Sequence, residues 1–247
     1  MCKPGRVGKR KHDYDNRPRK TARLGYGTAI LAVTIVLLLA PYSRAFTPPW
    51  SGSFASITNK STTAAGYYSV VVSPSANNNN GYVYTDTAAG STIAGAATIT
   101  TEEGFWGPSG AFNNPHNYNV YYNWSITWIG SASTSICFLG ASYADLEIDF
   151  YANVYDVSSG TWVLPNDAST NVVSLALACG LTWGGYGTNA QYQVSFAASF
   201  LAHVTYQYYT FMEVTVTAGA AGLAGASADA NVGNTGYYAV LNSVSMY

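Results

Sequence analysis

The chain has 247 residues, 48% of them hydrophobic and only 9% charged, against roughly a quarter charged in ordinary soluble proteins. Such a composition excludes a charge-driven nucleic-acid binder, an acidic halophile-type surface and a charge-rich disordered tail. The formal net charge of -1 averages two unlike parts: Met1 to Ala45 holds ten of the eleven Lys and Arg, while Phe46 to Tyr247 holds one Lys against ten Asp and Glu, which leaves it at -9 at neutral pH.

The first part has the form of a targeting segment. A basic stretch ends at Arg23, an uncharged apolar run spans Tyr26 to Ala40, and Pro41 closes it. Ser43-Arg44-Ala45 then places small residues where a signal peptidase cuts. The expectation is an apolar helix acting as a signal, cleaved after Ala45 to release Phe46. The run is shorter than the ~20 residues of a spanning helix; an anchor retained through residues 26–41 is the alternative, and a pilin-type leader cut near Gly25 is a third. Each keeps the basic end inside and delivers residues 46–247, one β domain, to the outside.

Asn59-Lys60-Ser61 is the first of two glycosylation sequons. Tyr67 to Val72 and Tyr82 to Thr87 alternate like strands around Asn80-Gly81, a dipeptide suited to the positive φ of a tight hairpin turn. Ala88 to Ala97 is rich in Ala and Gly and reads as a loop or a flat strand of small residues. Glu102-Glu103 precede what reads as an aromatic loop, Gly104-Phe105-Trp106-Gly107-Pro108, which continues through Asn113, Asn114 and His116. Glu102 is a candidate general acid there. Trp106, with His116, is a candidate for binding sugars, since indole faces suit the apolar side of a pyranose. The bland reading of Trp106 is a hydrophobic plug that pins the loop.

From Tyr118 to Trp128 period two is strict: Tyr118, Val120, Tyr122, Trp124, Ile126 and Trp128 share one face, and the second sequon, at Asn123, lies on the other. The next strand alternates Leu146, Ile148, Phe150 and Val154 with Asp145, Glu147, Asp149, Tyr151 and Asn153, and turns at Ser158-Ser159-Gly160 into Thr161-Trp162-Val163. Asp145, Glu147 and Asp149 stand ~6.6 to 7 Å apart on one face and raise one another's pKa values. Their spacing resembles the Glu-x-Asp-x-Glu pattern of jelly-roll glycosidases, with Asp, Glu and Asp in place of Glu, Asp and Glu. The resemblance implies a nucleophile and an acid drawn from such carboxyls. An exposed polar strand face is the bland reading.

Cys137 and Cys179 form an even pair outside the leader, so one disulfide is expected, closing a loop of about 43 residues. Gly184-Gly185-Tyr186-Gly187 reads as a turn. The alternation from Tyr192 to Val216 is too long for one strand and must bend or fold back near Phe200 to Thr205. Ala218 to Asn231 is a second small-residue stretch. Small acid-active peptidases built as β-sandwiches use a Glu and a Gln, and Gln191, Gln193 and Gln207 are the glutamines available. His116 and His203 are too few for a zinc site, and no residue pattern implies a metal or a cofactor.

No capped amphipathic helix follows Ala45. The expected class is therefore all-β, an antiparallel two-sheet sandwich or jelly roll. Near pH 2 the exported part carries only about four positive charges, against some twenty for average composition, so it escapes the self-repulsion that drives acid unfolding. The leading functional expectation is an exported cell-surface or extracellular sandwich, suited to acid, with a structural, adhesive or assembly role and without catalytic activity. It would pair with itself or bind surface glycans. The alternative is an acid-active secreted hydrolase, glycosidase-like or glutamic-peptidase-like, or a carbohydrate-binding module. A groove holding facing carboxyls separates these, because it favours the hydrolase.

Overall fold

In the computed structural model the described residues are 44–46, 51–64, 67–72, 74–77, 79–107, 110–163, 168–232 and 237–246, with backbone alone at 44–46, 58–64, 67–72 and 188–189. The leader helix expected over residues 26–41 lies outside them, as do the side chains of Asn59 and Lys60.

The described residues form fifteen strands: β1 Arg44–Phe46, β2 Gly52–Ala64, β3 Tyr67–Val72, β4 Ser75–Asn77, β5 Tyr82–Thr92, β6 Gly95–Trp106, β7 Gly110–Ala111, β8 His116–Thr134, β9 Gly140–Asp156, β10 Thr161–Trp162, β11 Ala168–Ala178, β12 Thr182–Phe200, β13 Thr205–Gly222, β14 Gly225–Val232 and β15 Tyr238–Met246. They build two antiparallel sheets. Among the described residues the first has eight strands, in the order β1-β15-β5-β14-β8-β12 with β3 and β4 on β5. The second has seven, in the order β10-β9-β13-β6-β2 with β11 on β9 and β7 on β13. The class is thus the two-sheet β-sandwich that the period-two patterning implies.

The apolar parity of each long strand faces inward. Val120, Tyr122, Trp124, Ile126 and Trp128 from β8 meet Leu146, Ile148, Phe150 and Val154 from β9 and Met212, Val214 and Val216 from β13. Trp124 stacks on Phe150 with ring centroids 4.7 Å apart. Its indole N–H donates to the Thr210 hydroxyl at 3.0 Å, which donates in turn to the Tyr151 carbonyl at 2.8 Å. A buried indole N–H needs such a partner, and here the partner ties one sheet to the other at the middle of β13.

The long alternation breaks where expected and crosses between the sheets: β12 of the eight-stranded sheet ends at Phe200 and β13 of the seven-stranded sheet begins at Thr205. Gly81 and Gly160 turn the two expected hairpins at φ 72° and 70°. Cys137 and Cys179 are disulfide-bonded, Cα to Cα 5.1 Å. The small-residue stretches are strand, in β5, β6, β13 and β14, apart from the short connections at 93–94 and 223–224.

Two expectations fail. Gly184 to Gly187 is strand, the start of β12, because Gly185 and Gly187 lie beneath the indoles of Trp183 and Trp128. A Cβ would come within 2.6 and 2.4 Å of those rings, so glycine marks a close approach and not a turn. Gly104 to Trp106 is also strand and not loop, since β6 runs on to Trp106 paired with β13 and β2.

Candidate functional site

The register of the seven-stranded sheet assembles the site. Glu213 of β13 sits opposite Glu102 of β6 on one side and Asp149 of β9 on the other; Ser56 of β2 and Asn171 of β11 extend the same row. Directly opposed residues in antiparallel strands place their Cβ atoms ~4.5–5.5 Å apart. Three carboxyls therefore stand side by side on the outward face. Glu147 lies one row along, opposite Thr215, and Asp145 a row further, opposite Thr217.

Crowding of like charge and removal from water both favour the protonated form. Glu213 shows this most, pushed up to about 7 by burial first and then by Glu102, Asp149 and Glu147, with a hydrogen bond from Tyr151 acting the other way. Burial also raises Asp145, Glu147 and Asp149 above the usual carboxylate range; Asp149 and Asp145 add to the shift of Glu147, and hydrogen bonds from Asn171 and Glu147 moderate that of Asp149. The Asn171 amide donates to Asp149 Oδ1 at 2.7 Å. Tyr151 is pushed up to about 12 by burial and by the same acids.

Beyond the carboxyl row the same face becomes aromatic. A groove of about 920 Å³ is lined by Phe54, Glu102, Trp106, Asn153, Trp162, Gln207, Tyr209 and Phe211. Phe54 stacks near-parallel on Trp106, and Tyr151 on Phe211; Trp162 meets Tyr155 and Tyr209 edge-on at 5.1 and 5.2 Å. Two glycines make room for this floor. A Cβ on Gly52 would lie 2.0 Å from the Trp106 ring, and one on Gly104 would lie 2.3 Å from the Thr210 carbonyl and 2.4 Å from Phe211 Cβ.

The structure thus unites Glu102, Glu147, Asp149 and Trp106, candidates from separate stretches of sequence, and places Asp145 at the margin. It leaves His116 elsewhere, exposed at the start of β8 in the other sheet with its ring against Tyr118. Gln207 shares the groove with Glu102 but lies six residues along β13 from Glu213, ~20 Å of strand, so they form no peptidase dyad. Asn123 lies mid-strand on β8, and its side-chain nitrogen, the atom a glycan would occupy, donates to the Ser243 hydroxyl at 3.0 Å.

Sequence reasoning missed Glu213, Phe54, Trp162, Tyr209 and Phe211 as site residues. Their parity was available, since Tyr209, Phe211 and Glu213 alternate with Tyr208, Thr210, Met212 and Val214, but register with β6 and β9 was not. Parity also separates Glu102 from Glu103: Ile99, Thr101, Glu103 and Phe105 all point inward. Glu103 is fully buried, and neither carboxyl oxygen completes a hydrogen bond. Burial raises its pKa well above the ordinary value, Glu102 and Glu213 add to this, and the nearby Thr101 and Thr85 hydroxyls ease it only in part. Among the described residues no group of three or more His, Cys, Asp or Glu is arranged to hold a metal ion.

No protein-family model matches the chain, and no curated protein matches it. Two solved structures, of infectious bursal disease virus strains Gx and Gt, align with 83% and 84% of this chain at 11% and 13% identity, with TM-scores of 0.14 and 0.13. The chain spans about two fifths of the length of each, 41% and 43%. A likeness of that size carries no argument about fold or activity.

Proposed function

We propose that the chain is an exported, acid-adapted β-sandwich of jelly-roll type, delivered by its N-terminal apolar segment, whose seven-stranded sheet hydrolyses glycosidic bonds in a neutral polysaccharide. The observation that carries this reading is the cross-strand contact of Glu213 with Glu102 at the end of an aromatic groove. Glu213, protonated up to about pH 7, is the general acid that gives its proton to the leaving glycosidic oxygen. Glu102, on the adjacent strand and lining the groove, is the carboxylate that attacks the anomeric carbon. Water then releases the sugar, with Glu213 taking a proton back. Retaining enzymes hold their two carboxyls about 5–5.5 Å apart, and direct opposition of Glu213 and Glu102 on adjacent strands suits that arrangement, so retention of anomeric configuration is the expected outcome.

Trp106, Trp162 and Tyr209 offer faces for successive sugar rings. The described side chains include no Lys or Arg, which disfavours uronic or sulfated glycans. Asp149, held by Asn171, is a positioning residue that keeps Glu213 protonated through its negative charge. The test is release of reducing ends from neutral glucans, mannans and xylans between pH 2 and 6. Activity lost in both Glu213→Gln and Glu102→Gln supports the reading; no cleavage by the wild type, or cleavage unchanged in both variants, contradicts it.

A further inference from the structure

The groove lies toward one end of the seven-stranded sheet, and the opposite end of the molecule has a different chemistry. Four connections meet there: β5–β6, β8–β9, β11–β12 and β13–β14. They display Ile93, Ile136, Phe138, Leu139, Leu181 and Leu223, with Phe138 88% and Leu223 71% exposed. The stretches 92–95, 135–142, 178–182 and 221–225 contain no charged residue.

This end is built to hold its apolar side chains out. The Cys137–Cys179 disulfide joins two of the connections. The Gly180 N–H donates to the Ser135 carbonyl at 2.8 Å, Thr134 to Leu181 at 2.9 Å, Leu223 to Leu139 at 3.3 Å, and Ile93 to Ala224 at 2.8 Å. Ile93 also sits at φ 66°, a conformation costly for a β-branched residue and found where surrounding structure imposes it. Ordinary turn chemistry would place Gly or Asn there.

We infer that this disulfide-tied end is a self-association surface on which a second copy of the chain docks end to end about a two-fold axis. The six residues are 45% to 88% exposed, together an apolar patch above the few hundred Å² that a lone soluble protein leaves exposed, and a standard stable interface of ~800 Å² per partner would cover this end. An isologous contact apposes each surface with itself, so a charged patch would repel its own image; this one carries no charge, whereas the outward carboxyl row would repel. A bilayer is the less favoured occupant, because among the described side chains no Lys or Arg borders the surface to meet anionic headgroups.

Sedimentation velocity of the purified chain, its N-terminus read by mass spectrometry, tests this together with Phe138→Ser and Leu223→Ser. Both side chains are largely in solvent, so their loss spares the core. The inference expects a dimer in the micromolar range that weakens at least tenfold in each variant, with circular dichroism unchanged. A benzophenone amino acid at position 138 should cross-link to residues 135–139, 181 or 223 of the second copy. A wild-type monomer at 100 µM, cross-links into the aromatic groove, or a monomer that sediments with neutral or anionic vesicles only while Phe138 is intact would overturn it. Polysaccharide cleavage by Glu102 and Glu213 is a separate readout, and its failure leaves the dimer assay unaffected.

Discussion

The outward faces of the two sheets solve the problem of being polar in opposite ways. On the eight-stranded sheet, neutral groups pair across strands: Ser133 with Ser227 at 2.9 Å, Asn123 with Ser243 at 3.0 Å, and Ser199 with Asn117, while Ser131 spends its hydroxyl on Asp229. On the seven-stranded sheet three carboxyls are set abreast, and a fourth is one row away. The neutral pairs of the first face keep their hydrogen bonds at any pH. The second stores repulsion that protonation relieves, and a protein does not need that arrangement merely to stay soluble. Raised carboxyls concentrated beside a groove are the feature on which the proposed hydrolytic role rests.

Several changes would break or sharpen the contrast. The largest effect is expected for Glu213→Gln, which should lower kcat on a cleaved polysaccharide by ~10²–10⁴-fold, the usual contribution of general acid catalysis. Asp229→Asn on the other sheet should leave turnover unchanged, as steady-state kinetics on both variants would show. Replacing both cysteines by serine should cost ~2–4 kcal/mol in a denaturant melt, without a change in the groove. Gly104→Ala should cost ~1–3 kcal/mol through overpacking against Thr210 and Phe211. By contrast Gly184→Ala, where a Cβ meets nothing within 4 Å, should stay within ~0.5 kcal/mol.

The pH dependence of stability follows from the same face together with Glu103. Asp145, Glu147, Asp149, Glu213 and Glu103 all have raised pKa values in the fold, so the folded state binds their protons more tightly than the unfolded chain does. Their contribution is fully present below the ordinary carboxylate range and is lost as pH rises from about 4 toward 7. Melting temperature should therefore fall between pH 4 and pH 8. Glu103→Gln and Glu213→Gln should each flatten part of that fall, by ~1–2 kcal/mol for the half-exposed Glu213. Asp156 alone among the shifted acids is lowered, by hydrogen bonds with Ser159 and Ser158, and it works in the opposite direction.

Much of the architecture is written in period two, because a half-buried strand must alternate. Val120 to Trp128 and Leu146 to Val154 announce their inward faces, and the break after Phe200 follows from the reach of a strand. The disulfide follows from an even pair of cysteines. The site is less legible because it depends on register. Glu213 lies 111 positions from Glu102 and 64 from Asp149, and nothing in the chain near Met212 or Val214 says which residues stand beside it. Gly104 misled for a physical reason as well. A glycine opening a run that closes on Gly107-Pro108 suggests a loop, yet this one is needed within a strand, where Phe211 comes too close for a Cβ.

The central claim is that burial, with Glu102 and Asp149 brought alongside by the strands, makes Glu213 hold its proton far above the normal carboxylate range. Carboxyl carbon NMR across pH 2 to 9 on protein labelled in Glu and Asp, with Glu213→Gln to assign the signal, measures this directly. The account predicts one resonance titrating near pH 7 that disappears in the variant. If the Glu213 carboxyl instead titrates between pH 4 and 5, like a solvated glutamate, it is neither buried nor crowded as described and the groove has no acid of the kind proposed.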